Sequence, residues 1–390
     1  MSIFKLCARA AFAAALLLIP ATTLAASTAE ALATGTENLL FLPQAQRRIA
    51  FARISELAAT RTIRASDQVL PLPPGDAPLP DVSYTVDGES HALASFLEND
   101  SLMGMIVVQG GEVLLEHYAP DHGPDVRWVS FSVSKSVTSM LIGAAIQDGY
   151  IPNVDVPVAA YLPRLRGTPY ASATIRHVLN MASGVAWNED YADPSSDVSR
   201  AGASNGIELV AYLADLPAAH APGEVFNYST GETNLVGEIL RAAIGNNAST
   251  YLEHRIWQPF GMESDATWLL GAPGGGETGG CCISATLRDY ARLGLFAMSA
   301  GGLANGLRVL PDDWMAASTT PSPAAPFYGY LWWLEAGDAF GAQGIFGQRI
   351  HIDPARELVI AMHSNAPAAV GTDYHRHQVA VLEAIGRALD

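Results

Sequence analysis

Ser132 and Lys135 stand three residues apart near the head of the stretch Trp128–Ile151, WVSFSVSKSVTSMLIGAAIQDGYI. The apolar run from Val137 to Ile146 has the length and content of a buried helix with a polar start, and Gly149 is its stop. Residues three apart share one face of a helix, so the hydroxyl and the amine can meet within hydrogen-bond reach. The chemistry this offers is a nucleophile beside a base. One Ser-x-x-Lys match is expected about once by chance in a chain of this length. What sets this one apart is that Lys135 and Lys5 are the only lysines in 390 residues, every other basic chain being arginine. Arginine cannot give up its proton, whereas a lysine desolvated near the positive end of a helix can be neutral at working pH.

The elements that must carry this pair read as follows. Met105–Val108 and Glu112–Tyr118 flank Gln109-Gly110-Gly111 and predict a hairpin leading into the Ser132 helix. Before it, Ser27 to Leu102 is mixed: a helix over Gln44–Thr60, the proline-rich Pro71–Pro80 and a helix-like His91–Asn99, read together as an arm and linker. After it come helices at Ile175–Met181, Gly206–Leu216, Thr233–Ile244, Ala248–Trp257 and Ala285–Ser299, interrupted by the polar loop Trp187–Asn205 and the glycine-rich Gly271–Gly280. Tyr328–Leu334, Gly347–Ile352 and Leu358–His363 read as strands, with a turn at Asp353-Pro354, and Tyr374–Leu389 as a closing helix. These predict an α+β fold: one antiparallel sheet assembled from both ends of the chain, flanked by helices, with a helical lobe inserted.

Lys5 and Arg9, the apolar Ala10–Pro20 and the small residues Ala21–Ser27 have the order of a secretory signal peptide, placing residues 1–26 as a leader, 27–102 as the arm and 103–390 as the main domain. The expected location is periplasmic or secreted. Cys7 lies inside the leader, which gives no support for a lipid anchor, and no later run reaches membrane-helix length. Cys281 and Cys282 are adjacent and cannot staple distant segments, so they read as small buried residues. A formal charge of −17 with no basic cluster makes nucleic acid and anionic lipid poor partners. Glu189, Asp190 and Asp193, or His375 and His377, could be taken for metal ligands, but no His-Glu-x-x-His or Cys-x-x-Cys spacing supports a metal. Nor is there a Gly-x-Ser-x-Gly elbow or a phosphate-binding glycine loop.

Three segments together resemble the serine beta-lactamase and penicillin-recognising superfamily, nearest its branch of secreted 6-aminohexanoate-dimer hydrolases and esterases. They are Phe131-Ser132-Val133-Ser134-Lys135, Leu179-Asn180-Met181-Ala182-Ser183-Gly184, and Pro222 to Thr230 with Asn227-Tyr228-Ser229 at its centre. The resemblance implies a beta-lactamase-like fold and makes Tyr228 a third catalytic group that shares protons with Ser132 and Lys135. Its loop position after Pro222-Gly223 suits a hydroxyl facing a site. The resemblance also implies that Tyr191 contacts substrate and that a third, strand-borne motif lies at Phe346-Gly347-Gln348. There Phe346 replaces the family's usual cation, leaving Arg349 as the cation next to it, and the backbone N–H groups of Ser132 and Arg349 form the oxyanion hole. Trp332 and Trp333 read as core. The function expected is hydrolysis of small amides or esters through an acyl-enzyme on Ser132, with no cofactor. The alternatives are a beta-lactamase or D-alanyl-D-alanine carboxypeptidase, which Phe346 argues against, and a non-catalytic binding protein, which has no use for an isolated lysine base.

Overall fold

A computed structural model describes residues 38–390; the leader read at residues 1–26 lies outside them. The main sheet has six strands: β1 (Leu102–Gln109), β2 (Glu112–Tyr118), β3 (Trp333–Leu334), β4 (Phe340–Gly344), β5 (Gln348–Asp353) and β6 (Leu358–Ser364). Their spatial order is β2-β1-β6-β5-β4-β3, every pairing antiparallel. The sheet is thus assembled from both sides of the helical middle, as expected. Gly110 and Gly111 have φ of 58° and 86°, the backbone that a two-residue hairpin turn demands at both central positions.

The sheet is covered on both faces, which is why β1 is an almost unbroken apolar run. Ile106 and Val108 pack into the core shared with helix α1 (Val133–Gln147), α2 (Thr230–Ile244) and α3 (Leu287–Met298). Met105 and Val107 point the other way, toward α4 (Asp373–Ala388) and the hairpin Ser83–Val86/Glu89–Ala92. A second, four-stranded sheet that the sequence reading did not anticipate joins Thr60–Ile63, Ala266–Leu269, Ile283–Ala285 and Trp128–Val129, whose last strand feeds directly into the Ser132 turn.

Several element boundaries differ from expectation for identifiable reasons. The helix predicted over Gln44–Thr60 ends at Ala50 and resumes for one turn at Ile54–Leu57. Between them Phe51 is fully buried, its carbonyl accepting from Val129 N–H and its ring lying against Trp128, Phe131 and Phe346. The strand predicted over Tyr328–Leu334 shrinks to Trp333–Leu334, because Leu331 takes a φ of 62°, donates to Leu179 O and accepts from Ser136 Oγ of α1. The expected helix at His91–Asn99 divides into the end of a strand and the short helix Leu93–Leu97.

Two predictions come from this packing. A Cβ on Gly344, at the end of β4, would sit 2.3 Å from Ser130 O and 3.2 Å from Ser132 N. Gly344→Ala should therefore push β4 off the nucleophile turn and cost roughly 100-fold in kcat/KM on an ester substrate; near-normal turnover would show that this contact does not position the site. Glu232, in the first turn of α2, is fully buried with Ser183 Oγ as a donor, and burial raises its carboxyl pKa to about 8. The folded state therefore holds this proton more tightly than the unfolded one. Stability from this group is complete below about pH 4.3 and is lost as pH rises toward 8. Melting curves from pH 5 to 8.5 should show wild type falling relative to Glu232→Gln by about 5 °C; parallel curves would refute the buried neutral carboxyl.

Candidate active site

Ser132 occupies the N-cap position of α1 with a near-helical φ of −69°, but its hydroxyl makes no capping bond, so it is left for chemistry. The preceding residue, Phe131, is held at φ 44°, a costly conformation for an aromatic residue, by its ring packing on Phe51 and Phe346. Ser130 fixes the turn further, its N–H donating to Ile283 O at 2.7 Å and its Oγ accepting from Ile283 N at 3.0 Å.

Lys135 is 1% exposed. Its amine donates to Thr230 Oγ1 at 2.9 Å and to Gly280 O at 2.8 Å, and it lies 5.3 Å from the centre of the Tyr228 ring. The expected direct bond to Ser132 is not among its hydrogen bonds. A neutral amine still has two N–H donors, enough for both observed acceptors, and keeps one lone pair to take a proton. Burial lowers the Lys135 pKa to about 8, against the opposing pull of the Glu189 carboxylate. Gly280, in turn, is held by Asn234 Oδ1, and Thr138 of α1 ties down Gly279 O. The glycine-rich loop is thereby a fixed acceptor for the lysine.

Tyr228 comes just before α2, whose N-cap is Ser229. It lines the cleft together with Ser132, and burial, with Glu189 nearby, pushes its pKa well above the usual phenol value. Tyr191 lines the cleft on both sides of Ser132, its hydroxyl donating to Glu189 Oε1 at 2.8 Å.

Glu189 was read in the sequence as one acid in a solvated loop. Its carboxylate instead accepts from Trp187 Nε1, the Tyr191 hydroxyl, the Thr230 hydroxyl and Thr230 N, the last at 2.9 Å. A chain of hydrogen bonds therefore runs Lys135–Thr230–Glu189–Tyr191. The only sequence signal was the threonine directly after Tyr228-Ser229, which marks a polar partner without saying whose. Asp190 and Asp193 cap local turns at Ala192 N and Ser195 N. Among the described residues no group of three or more His, Cys, Asp or Glu is arranged to hold a metal ion.

Of the residues expected at the third motif, Gly347, Gln348 and Arg349 border the cleft and Phe346 does not. Phe346 is 1% exposed; its ring packs with Phe51 and Phe131 under the Arg47 guanidinium, and its N–H and C=O are bonded to Ala369 and Ala366. It lines neither side of the cleft. Gly347 and Gln348 do reach the cleft wall, but Gln348 is spent on Ser364, accepting from its N–H at 3.0 Å and donating to its carbonyl at 2.6 Å. Arg349 lies on the inner strand β5, between Gln343 of β4 and Met362 of β6, where backbone groups face neighbouring strands. Its guanidinium is paired with Glu335 at 2.9 Å. The strand end that meets Ser132 is Gln343-Gly344-Ile345, as the Gly344 contacts above require. It too brings no cation.

Two other readings change. Trp332 is core, but Trp333 faces the cleft, stacked on Tyr228 with ring centres 5.6 Å apart. Cys281 and Cys282 are joined to each other by a disulfide and line the wall of the cleft beside Gly280, with Cys282 buried and Cys281 half-buried. The expectation of two small buried residues holds for Cys282 and only in part for Cys281.

With this geometry in place, comparison with known proteins is informative. The Beta-lactamase family profile matches residues 97–384. The 6-aminohexanoate-dimer hydrolase of Paenarthrobacter ureafaciens is 31% identical over 374 residues, spanning 88% of this chain and 91% of that protein. Among solved structures, a Bacillus anthracis protein assigned as a 6-aminohexanoate-dimer hydrolase superposes with a TM-score of 0.78 at 21% identity, covering 90% of this chain and 96% of that one. A family VIII carboxylesterase gives a TM-score of 0.60 at 17% identity, over 76% of this chain and 95% of its own. At these identities the two structures speak for the fold alone; the profile and the sequence relative speak for the family. The chain belongs to the beta-lactamase family and is a hydrolase of the serine beta-lactamase-like superfamily.

Proposed function

We propose that this hydrolase cleaves small amides or esters through an acyl-enzyme on Ser132. The observation that carries the reading is the buried Lys135 one helical turn from a serine hydroxyl that makes no capping bond, with the Tyr228 ring beside the amine and lining the same side of the cleft as Ser132. Neutral Lys135 accepts the proton of the Ser132 hydroxyl, directly or through Tyr228, as the oxygen attacks the acyl carbon. The tetrahedral oxyanion is received by the backbone N–H of Ser132 and that of Ile345, which replaces Arg349 in this role because the end of β4 is what meets the nucleophile. Tyr228 passes a proton to the departing amine or alcohol, and water then attacks the ester to release the acid and restore Ser132. Glu189 acts by position: it orients Thr230, the acceptor of the lysine, and Tyr191, which faces substrate. The amide named for the Paenarthrobacter relative and the ester named for the carboxylesterase are the two bond types this machinery suits. With no cation beside Ser132 at the end of β4, a penicillin or D-alanyl-D-alanine carboxylate lacks its counter-ion, and such substrates should be poor. The leader sequence supports export to the periplasm or beyond the cell.

Ser132→Ala should abolish hydrolysis of p-nitrophenyl acetate, and a fluorophosphonate should add once to the wild type, at Ser132, in intact-mass and peptide spectra. An adduct elsewhere, or an active alanine variant, would remove Ser132 from the nucleophile role. The pH dependence follows from the sign of the lysine shift. The base is the deprotonated form, so kcat/KM should climb with pH through about 8 and level off above it. Because Tyr228 is coupled to Lys135, that midpoint belongs to the pair. Lys135→Arg keeps the charge but not the basicity and should lose about 1,000-fold or more. A flat profile from pH 6 to 10, or substantial activity in the arginine variant, would shift the base role to Tyr228.

A further inference from the structure

The cleft has two sides that meet at Ser132. One, about 330 Å³, is walled by Leu39, Leu40, Cys281 and Cys282; the other, about 270 Å³, by Tyr228, Trp333, Ile345 and Val370. Tyr228 faces only the second. Since the phenol hands its proton to the departing atom, the second side holds the leaving group and the first holds the acyl chain.

Tyr228 and Trp333 line the leaving-group side, and an aromatic row continues outward from them. The Trp333 indole is stacked on Tyr228 at 5.6 Å and 26°, Phe327 is stacked on Trp333 at 6.3 Å and 14°, and Phe226 meets Phe327 edge-on at 5.3 Å. Phe327 is 45% and Val370 60% exposed, so the row begins at the reacting centre and opens to water. Three ionisable groups besides the tyrosines border this side, and none offers an unpaired positive charge, although Arg349 Nε and His375 Nε2 are buried without a hydrogen-bond partner. Glu189 accepts from Trp187, Tyr191 and Thr230; Arg349 is paired with Glu335; His375 Nδ1 is bonded to Thr372 at the N-terminus of α4, and burial favours its neutral form. A charged leaving group would lose water here and gain no counter-ion, whereas a flat apolar one would trade water for ring faces.

We propose that Trp333, backed by Phe327, selects leaving groups with a flat, uncharged apolar body, such as arylmethyl alcohols and the corresponding amines, over ω-carboxylated chains. This rests on the acyl-enzyme reading above and narrows it: the amine released from a linear amino-acid dimer carries a carboxylate, for which this side has no unpaired cation.

The test holds the acyl group constant, so that the same acetyl-enzyme is hydrolysed in every case and differences report acylation. Full-length protein is assayed with 2-naphthylmethyl acetate, ethyl acetate and 6-acetoxyhexanoate. The expected order places the naphthylmethyl ester at least about tenfold above 6-acetoxyhexanoate in kcat/KM, a discrimination in the range one apolar pocket gives. Trp333→Ala should bring that ratio down about tenfold, mainly through KM, and Trp333→Phe should restore most of it. Phe327→Ala, at the exposed end where folding is not at stake, should lower the same ratio about threefold. Equal turnover of 6-acetoxyhexanoate, or ratios unmoved by both alanine variants, would overturn the assignment. Fluorophosphonate labelling of Ser132 in the same preparations keeps the two readings apart. Labelled protein without the preference refutes only the aromatic selection, while unlabelled protein refutes the acyl-enzyme itself.

Discussion

Keeping one ammonium group out of water is the constraint on which the rest of this structure depends. A lysine in solution is protonated at neutral pH and useless as a base; moving its pKa from the ordinary value of about 10.4 to about 8 requires a surround that disfavours the charge without leaving the amine unbonded. Helix α1 supplies it by being buried on nearly all sides, its second half apolar and the hydroxyls of Ser134, Ser136 and Thr138 in its first half bonded to the carbonyls of Phe131, Leu331 and Gly279. The two acceptors offered are a carbonyl and a hydroxyl, both neutral. The one carboxylate nearby, Glu189, stands one hydrogen bond further away, behind Thr230. Were it to touch the amine directly, the pair would hold the proton on the lysine and the base would be lost.

Around that amine the chain makes three independent anchorings, none close to another in sequence. Phe51 holds the turns at Phe131 and Phe346 from beneath, both of them aromatic residues in left-handed backbone. The loop Gly279–Gly280 is bonded to α1 and α2, and the last residue of β4 lies against Ser130 and Ser132. Residues 38–96, which precede the profile match at 97–384, thus supply the wedge under Ser132 and, through Arg47, four hydrogen bonds to Leu42, Asn365, Ala366 and Pro367.

What could be read from the sequence was whatever is local in it. Ser132 and Lys135 are one turn apart, the Gly110-Gly111 hairpin is a two-residue signal, and the long helices carry their own periodicity, so the α+β arrangement with strands from both ends followed. The strand end that meets Ser132 was not legible because β4 reads Phe-Gly-Ala-Gln-Gly, with two glycines and no alternation to announce a strand, while the neighbouring Gln348–Asp353 looks like a better one. Which face of a strand turns to the cleft separates Trp332 from Trp333, and one residue of register reverses it. The bonding of Glu189 was not legible because its partner Thr230 is distant in the chain, and a solvated acid and a half-buried, bonded one look alike on paper. The bond between Cys281 and Cys282 closes no loop that spacing could reveal.

The assembly of the sheet from both chain ends has a consequence for the protein's own synthesis. Ser132 and Lys135 are made early, but Gln343, Gly344 and Ile345 come roughly two hundred residues later, and β5 and β6, which hold them in place, later still. Until β6 pairs with β1, and β5 and β4 join it, the residues that lie against Ser130 and Ser132 are not in place. The last wall of the Ser132 turn is therefore added only with the closing of the sheet.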